Sequence, residues 1–124
     1  MEQLSRDQTV VARELEQGLL TYEEARNDPR GNILLQCIGA TTHLHPIFES
    51  GTVSENSVYM LCSDGFRHMI ESEEMQYFLQ PGNFSTEKEL QKRLTDLVEL
   101  NKKRGEQDNI TVAAIKTSDS SGRI

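Results

Sequence analysis

Three of the aspartates in this 124-residue chain sit where a divalent cation could draw oxygen ligands. Asp64 lies in Cys62-Ser63-Asp64-Gly65, where the apolar run Val58 to Cys62 ends and a helical period begins. A carboxylate at such a junction is held rigidly at the edge of the core, and Gly65 allows a tight backbone turn beside it. Hard cations such as Mg²⁺ and Mn²⁺ take oxygen ligands from positions of this kind. Asp108 stands in the loop before the last apolar segment, and Asp7 precedes a helix start at Thr9. Each also has an ordinary reading. Asp64 suits a turn or a helix cap, Asp108 an Asx-turn that satisfies loop amides, and Asp7 the favourable end of a helix dipole. Taken singly, the ordinary reading is the stronger one for each.

The elements that would position these acids follow from periodicity and capping. Thr9 caps a short helix with Val11, Ala12 and Leu15 on one face, ended by Gly18. Thr21 and Glu24 form a capping box for a second short helix that stops near Asn27-Asp28-Pro29. Such a pair, poor in apolar residues, reads as a surface subdomain over residues 9–30. Ile33–Ile38 reads as a strand, and Leu44–Glu49, which carries Pro46, as an edge strand. Val58–Cys62 reads as a strand covered on both faces, followed by helical spacing at Phe66, Met69, Ile70, Tyr77 and Phe78. Thr86 and Glu89 open a long helix with Leu90, Leu94, Leu97 and Val98 inward, closed by Lys102-Lys103-Arg104-Gly105. Ile110–Ile115 is a final strand rich in β-branched residues. Strands gathered before helices predict an α+β layered fold.

Composition narrows the function classes. Hydrophobic residues at 35% and charged residues at 27% suit a globular, soluble domain. A net charge of −7 argues against nucleic-acid binding, which needs a basic footprint. No apolar run approaches the roughly 20 residues of a membrane span, and the polar amino terminus lacks a signal-peptide core. Cys37 and Cys62 lie in apolar stretches and are expected to be buried thiols of a cytoplasmic protein, not a disulfide. His43 and His45 lack further ligands at zinc spacing. His68, on the helix after Asp64, could approach the acids, but a surface or packing role is the stronger reading. The tail Ser118–Gly122 is of low complexity.

Order and spacing change the weighing. Leu4-Ser-Arg-Asp7-Gln-Thr9, the two short helices, Ile33–Gly39, Leu61-Cys-Ser-Asp64-Gly-Phe66 and Asp108-Asn-Ile-Thr-Val112 together resemble the second half of a bacterial-type PP2C (PPM) phosphatase over nearly all of residues 4–116. The resemblance implies a partial PP2C-like αββα sandwich with mostly antiparallel strands. It implies that Asp64 and Asp108 are ligands of one metal in a binuclear Mn²⁺/Mg²⁺ centre, and that Asp7 joins Asp64 at a third, weaker site. Residues 9–30 match the family's flap. The implied reaction is dephosphorylation of phosphoserine and phosphothreonine proteins by a metal-activated hydroxide attacking phosphorus. Neither Ser63 nor Cys62 is then needed as a nucleophile. Phe66 and Gln8 stand where the family more often has leucine and histidine, and neither change removes a ligand.

The family's first half carries a further acidic ligand, a phosphate-binding arginine and an Asp-Gly-x-Gly-Gly segment whose aspartate bridges both metals. Here the only Asp-Gly is Asp64-Gly65. The expectation is therefore a carboxyl-terminal piece, excised or naturally split. It would have little or no activity alone, and a homodimer or the missing half would cover its open apolar face. A non-catalytic interaction or regulatory module with a degenerate phosphatase fold is the alternative. An unrelated α+β domain whose acids merely cap turns is a further one.

Overall fold

In a computed structural model of the chain, residues 1–40 and 42–118 are described. The low-complexity tail lies, but for Ser118, outside them. The chain divides into two compact units, Glu2–Gly51 and the residues from Thr52 onward with Met1.

Capping builds the helices of the first unit. Helix α1, Val10–Glu16, begins where the Thr9 hydroxyl accepts from the Ala12 amide at 3.1 Å, and the chain leaves it through Gly18 at φ +71°. Helix α2, Tyr22–Asn27, carries the expected Thr21/Glu24 box, with Thr21 N–H donating to Glu24 at 2.8 Å. Arg30 ties this region together by ion pairs of 2.7 Å to both Glu14 and Asp28. Val11 is the buried hydrophobic residue among the described residues of the unit.

That thin core explains why two expected strands are missing. Ile33–Ile38 forms a single bridge, Thr9 to Leu34, and Ile38 is 90% exposed. Among the described residues of the unit, nothing supplies an apolar layer that would reward an extended ribbon. Leu44–Glu49 forms no strand either. The Gln36 side-chain amide, in place of a neighbouring strand, serves the His45 backbone, accepting from its N–H and donating to its carbonyl at 2.7 Å each.

The second unit holds the main core. Strand β1, Val58–Cys62, pairs antiparallel with β2, Val112–Lys116, in a register that sets Val58 opposite Lys116 and Cys62 opposite Val112. Helix α3 spans Ser72–Leu79 and helix α4 Glu87–Lys103. Phe66, Ile70, Met75, Leu79, Phe84, Leu90 and Leu97 form the buried cluster, against which Val58, Met60, Val112 and Ala114 pack from the sheet. Completely burying a side chain such as Leu97, at 0% exposure, stabilises by roughly 1.5–3 kcal/mol. The α+β class and the antiparallel pairing are as expected.

Three details differ from the sequence reading. Strand β1 is covered on one face, not two: alternation sends Tyr59 and Leu61 to the other side with Ala113 and Ile115, where Leu61 is 80% and Ile115 69% exposed. The helix expected from Phe66 is a 3₁₀ turn, Asp64–Phe66, followed by α3, because a box between Glu71 and Glu74 sets the helix start at Ser72. Cys37 and Cys62 are thiols, not a disulfide, but both are exposed. Cys37 lies in the run that lacks a covering layer, and Cys62 at the end of its strand. Among the described residues no helix is long and apolar enough to cross a membrane.

A bidentate ion pair ties α3 to the end of α4. Arg104 reaches both Glu74 carboxylate oxygens at 2.7 Å and donates to the Met69 carbonyl. The guanidinium, with help from the Glu71 amide, holds the Glu74 carboxyl down from 4.5 to about 2. Because the folded value is the lower one, the contribution is full above the ordinary carboxylate range and is lost as pH falls from about 4.5 through about 2. Urea titrations of wild type and Glu74→Gln should therefore converge in midpoint on acidification across that window. Midpoints that stay equally far apart from pH 6 to pH 2 would contradict this assignment.

Candidate metal centre

The Asp64 turn is stitched to the segment that follows Asp108. Ser63 N–H donates to the Thr111 carbonyl at 2.9 Å, and Thr111 N–H returns a bond to Ser63 Oγ at 3.0 Å. The Ser63 hydroxyl donates in turn to the Asn109 carbonyl at 3.1 Å. These contacts continue the β1–β2 ladder past Cys62 and Val112, so both acids sit at one end of the sheet. Gly65 closes the seam. A Cβ there would lie 2.6 Å from the Asn109 carbonyl oxygen and 3.3 Å from Asp108 Cβ. Glycine is required for close approach of two backbones and not for a left-handed φ.

Each acid is also oriented locally. Asp64 Oδ1 accepts from the Gly65 amide at 3.0 Å, and its main-chain carbonyl accepts from Arg67 at 2.9 Å and His68 at 3.1 Å. Asp108 Oδ1 accepts from the Asn109 amide at 2.7 Å. The structure thus brings Asp64 and Asp108 onto adjoining turns. Asp7 lies in the first unit, exposed, two residues ahead of the Thr9 cap.

Two positioning residues escaped the sequence reading. Glu106, its side chain only 5% exposed, accepts the Asp108 amide at 2.8 Å and the Gln107 amide at 2.9 Å through Oε1, and meets His68 Nδ1 at 3.2 Å through Oε2. The Asp108 amide first, then the Gln107 amide and His68, lower its carboxyl pKa. His68 is thus engaged in a loop contact. The second residue is Asn101, fully buried, whose Nδ2 donates to the Phe66 carbonyl at 2.8 Å and to Leu97 at 3.2 Å. Its Oδ1 has no hydrogen-bond partner, a cost on the order of 1–3 kcal/mol. Asn101 was legible in principle. It continues the inward stripe of α4 one turn after Leu97, where a polar side chain must answer to something specific.

The donor set fits a hard cation in kind but not in number. Two carboxylates on adjoining turns offer the oxygen chemistry that Mg²⁺ and Mn²⁺ favour. Among the described residues no group of three or more His, Cys, Asp or Glu side chains comes together to hold a metal ion.

The tight seam gives a direct mutational test. Gly65→Ala drives a methyl group into a backbone carbonyl, which cannot swing aside as a side-chain tip would. It is expected to cost about 1–3 kcal/mol in denaturant titrations, as overpacking does, with amide shift changes concentrated at Asp108 and Asn109. An unchanged midpoint with unchanged shifts would contradict this contact.

Known proteins share this arrangement of elements. The chain is 31% identical over 117 residues to Protein phosphatase PhpP of Streptococcus pneumoniae, covering 94% of this chain and 46% of that protein. It is 30% identical over 122 residues to Serine/threonine phosphatase stp of Listeria innocua, covering 94% and 44%. Its structure superposes on the S. agalactiae serine/threonine phosphatase with a TM-score of 0.78 at 31% identity, over 94% of this chain and 46% of that one. A TM-score of 0.80 at 24% identity to the Mycobacterium tuberculosis phosphatase PstP/Ppp, over 95% and 47%, concerns the fold alone. No family model matches the chain. The chain spans about half the length of the relatives it matches. In sequence and in fold it corresponds to the carboxyl-terminal half of the bacterial PP2C-type (PPM) Ser/Thr phosphatases.

Proposed function

We propose that this chain supplies one part of the metal-dependent active site of a protein Ser/Thr phosphatase, with Asp64 and Asp108 as oxygen ligands of a Mn²⁺ or Mg²⁺ ion. The observation that carries the reading is the seam of Ser63 and Gly65 against Asn109 and Thr111, which sets these two acids on adjoining turns. The likeness to bacterial Ser/Thr phosphatases supports the reaction class. When bound, such ions act as Lewis acids toward phosphoryl oxygens and make water a competent nucleophile near neutral pH. The chain's own residues hold and orient the carboxylates: Ser63 through the ladder, Glu106 through the Asp108 amide. By its match to the family's motif, Asp7 is read as a ligand of a further, weaker site, and residues 9–30 as the family's flap. The substrates are phosphoserine and phosphothreonine proteins, in the cytoplasm, a setting compatible with two exposed thiols.

Two carboxylates make an incomplete centre, so the reading requires partner chain. The remainder of a phosphatase domain, or a second copy, would bring the other ligands and cover the apolar sheet face of Leu61 and Ile115. The chain alone should therefore bind Mn²⁺ weakly and turn over little or no p-nitrophenyl phosphate. Titration calorimetry with Mn²⁺ should give a weak heat that falls at least about tenfold in affinity in Asp64→Asn and in Asp108→Asn, since even outer-shell partners of a metal cost ~10–100-fold. Equal heats in wild type and both variants would overturn the ligand assignment. Brisk turnover by the chain alone, abolished by Asp64→Asn, would overturn the incomplete-site reading.

A further inference from the structure

Asn101 touches both ligand-bearing turns. Its side-chain amide donates to the Phe66 carbonyl at 2.8 Å, closing the turn that begins at Asp64. Its main-chain carbonyl accepts from the Glu106 amide at 3.1 Å, and Glu106 in turn accepts the Asp108 amide at 2.8 Å. The residue sits at the end of α4, 0% exposed, on a helix whose other inward residues are apolar. Its amide oxygen finds no partner there, so packing alone does not account for an asparagine: an apolar side chain of similar volume would fill the space and bury no unsatisfied oxygen of its own. What an apolar side chain could not do is grip Phe66.

We propose that Asn101 is a positioning residue that fixes the Asp64 turn relative to the Asp108 loop, and so sets how the two carboxylates face a shared cation. It rests on the reading of Asp64 and Asp108 as ligands. Leu97, equally buried one turn earlier, is held by packing alone on its side chain and shows what a structural role looks like. Cutting the side-chain grip leaves the main-chain bond to Glu106 in place, so the effect should be one-sided.

The test is hydrogen exchange by NMR on the full chain without metal, paired with Mn²⁺ titration calorimetry, for Asn101→Leu, for Asn101→Ala (which cannot overpack the site) and for Leu97→Ala. In the Asn101 variants, the Arg67 and His68 amides, which donate to the Asp64 carbonyl, should lose about tenfold in protection while the Glu106 amide keeps its own. Their Mn²⁺ affinity should fall about tenfold. Leu97→Ala should lower protection across α4 and leave Mn²⁺ affinity within about twofold. Unchanged protection at Arg67 and His68, or a uniform loss equal to that of Leu97→Ala, overturns the proposal. A wild-type chain that gives no Mn²⁺ heat would instead count against the ligand reading, while the exchange pattern still decides whether Asn101 holds the turn.

Discussion

The short run of contacts between Ser63, Gly65, Asn109 and Thr111 is the constraint on which the site depends. A carboxylate on a loop is common, whereas two on adjoining turns need something to hold them there. The seam meets this with geometry that flexing cannot relieve: a reciprocal serine–threonine bond pair extends the β ladder, and a glycine sits against a carbonyl where no Cβ fits. Three further features of the second unit bear on that seam. Strand pairing brings the two turns to one end of the sheet, α4 backs them through Asn101, and the Arg104–Glu74 clamp fixes where α4 ends.

Capping made much of this fold legible. Thr9, the Thr21/Glu24 box and the Thr86/Glu89 box announce three helices by residue type alone, because each satisfies amides that a helix start would otherwise leave bare. Val58–Cys62 and the last strand were legible as apolar, β-branched runs. The same rule misled at Ile33–Ile38. An apolar run becomes a strand only when a layer exists to bury it, and the first unit offers little beyond Val11. Burial of Cys37 and coverage of both faces of β1 were misjudged for that reason.

The site was legible in part. Asp64 and Asp108 stood out only through the order and spacing of the whole series, since a turn dipeptide and a loop position by themselves favour ordinary turns, and the structure sets them on adjoining turns. Glu106 and Asn101 were not found, since one orients a neighbour's amide and the other reads in sequence as a lapse in an apolar stripe. Gly65 was found for the wrong property: closeness of backbones, not freedom of φ, is what the position demands. The open face of Leu61 and Ile115, and a donor set of two carboxylates among the described residues, are both features that the proposed incomplete site would show.

The central claim is that the turn at Asp64 and the loop at Asp108 present their carboxylates to one cation. Paramagnetic broadening by trace Mn²⁺ in the ¹⁵N spectrum of the full chain tests it most directly. The account expects the amides of Gly65 and Asn109 to broaden first and together, ahead of those in α3 and along α4. Broadening centred instead on the acidic surface of α4, around Glu87 and Glu89, or spread without focus over the acidic chain, would contradict it.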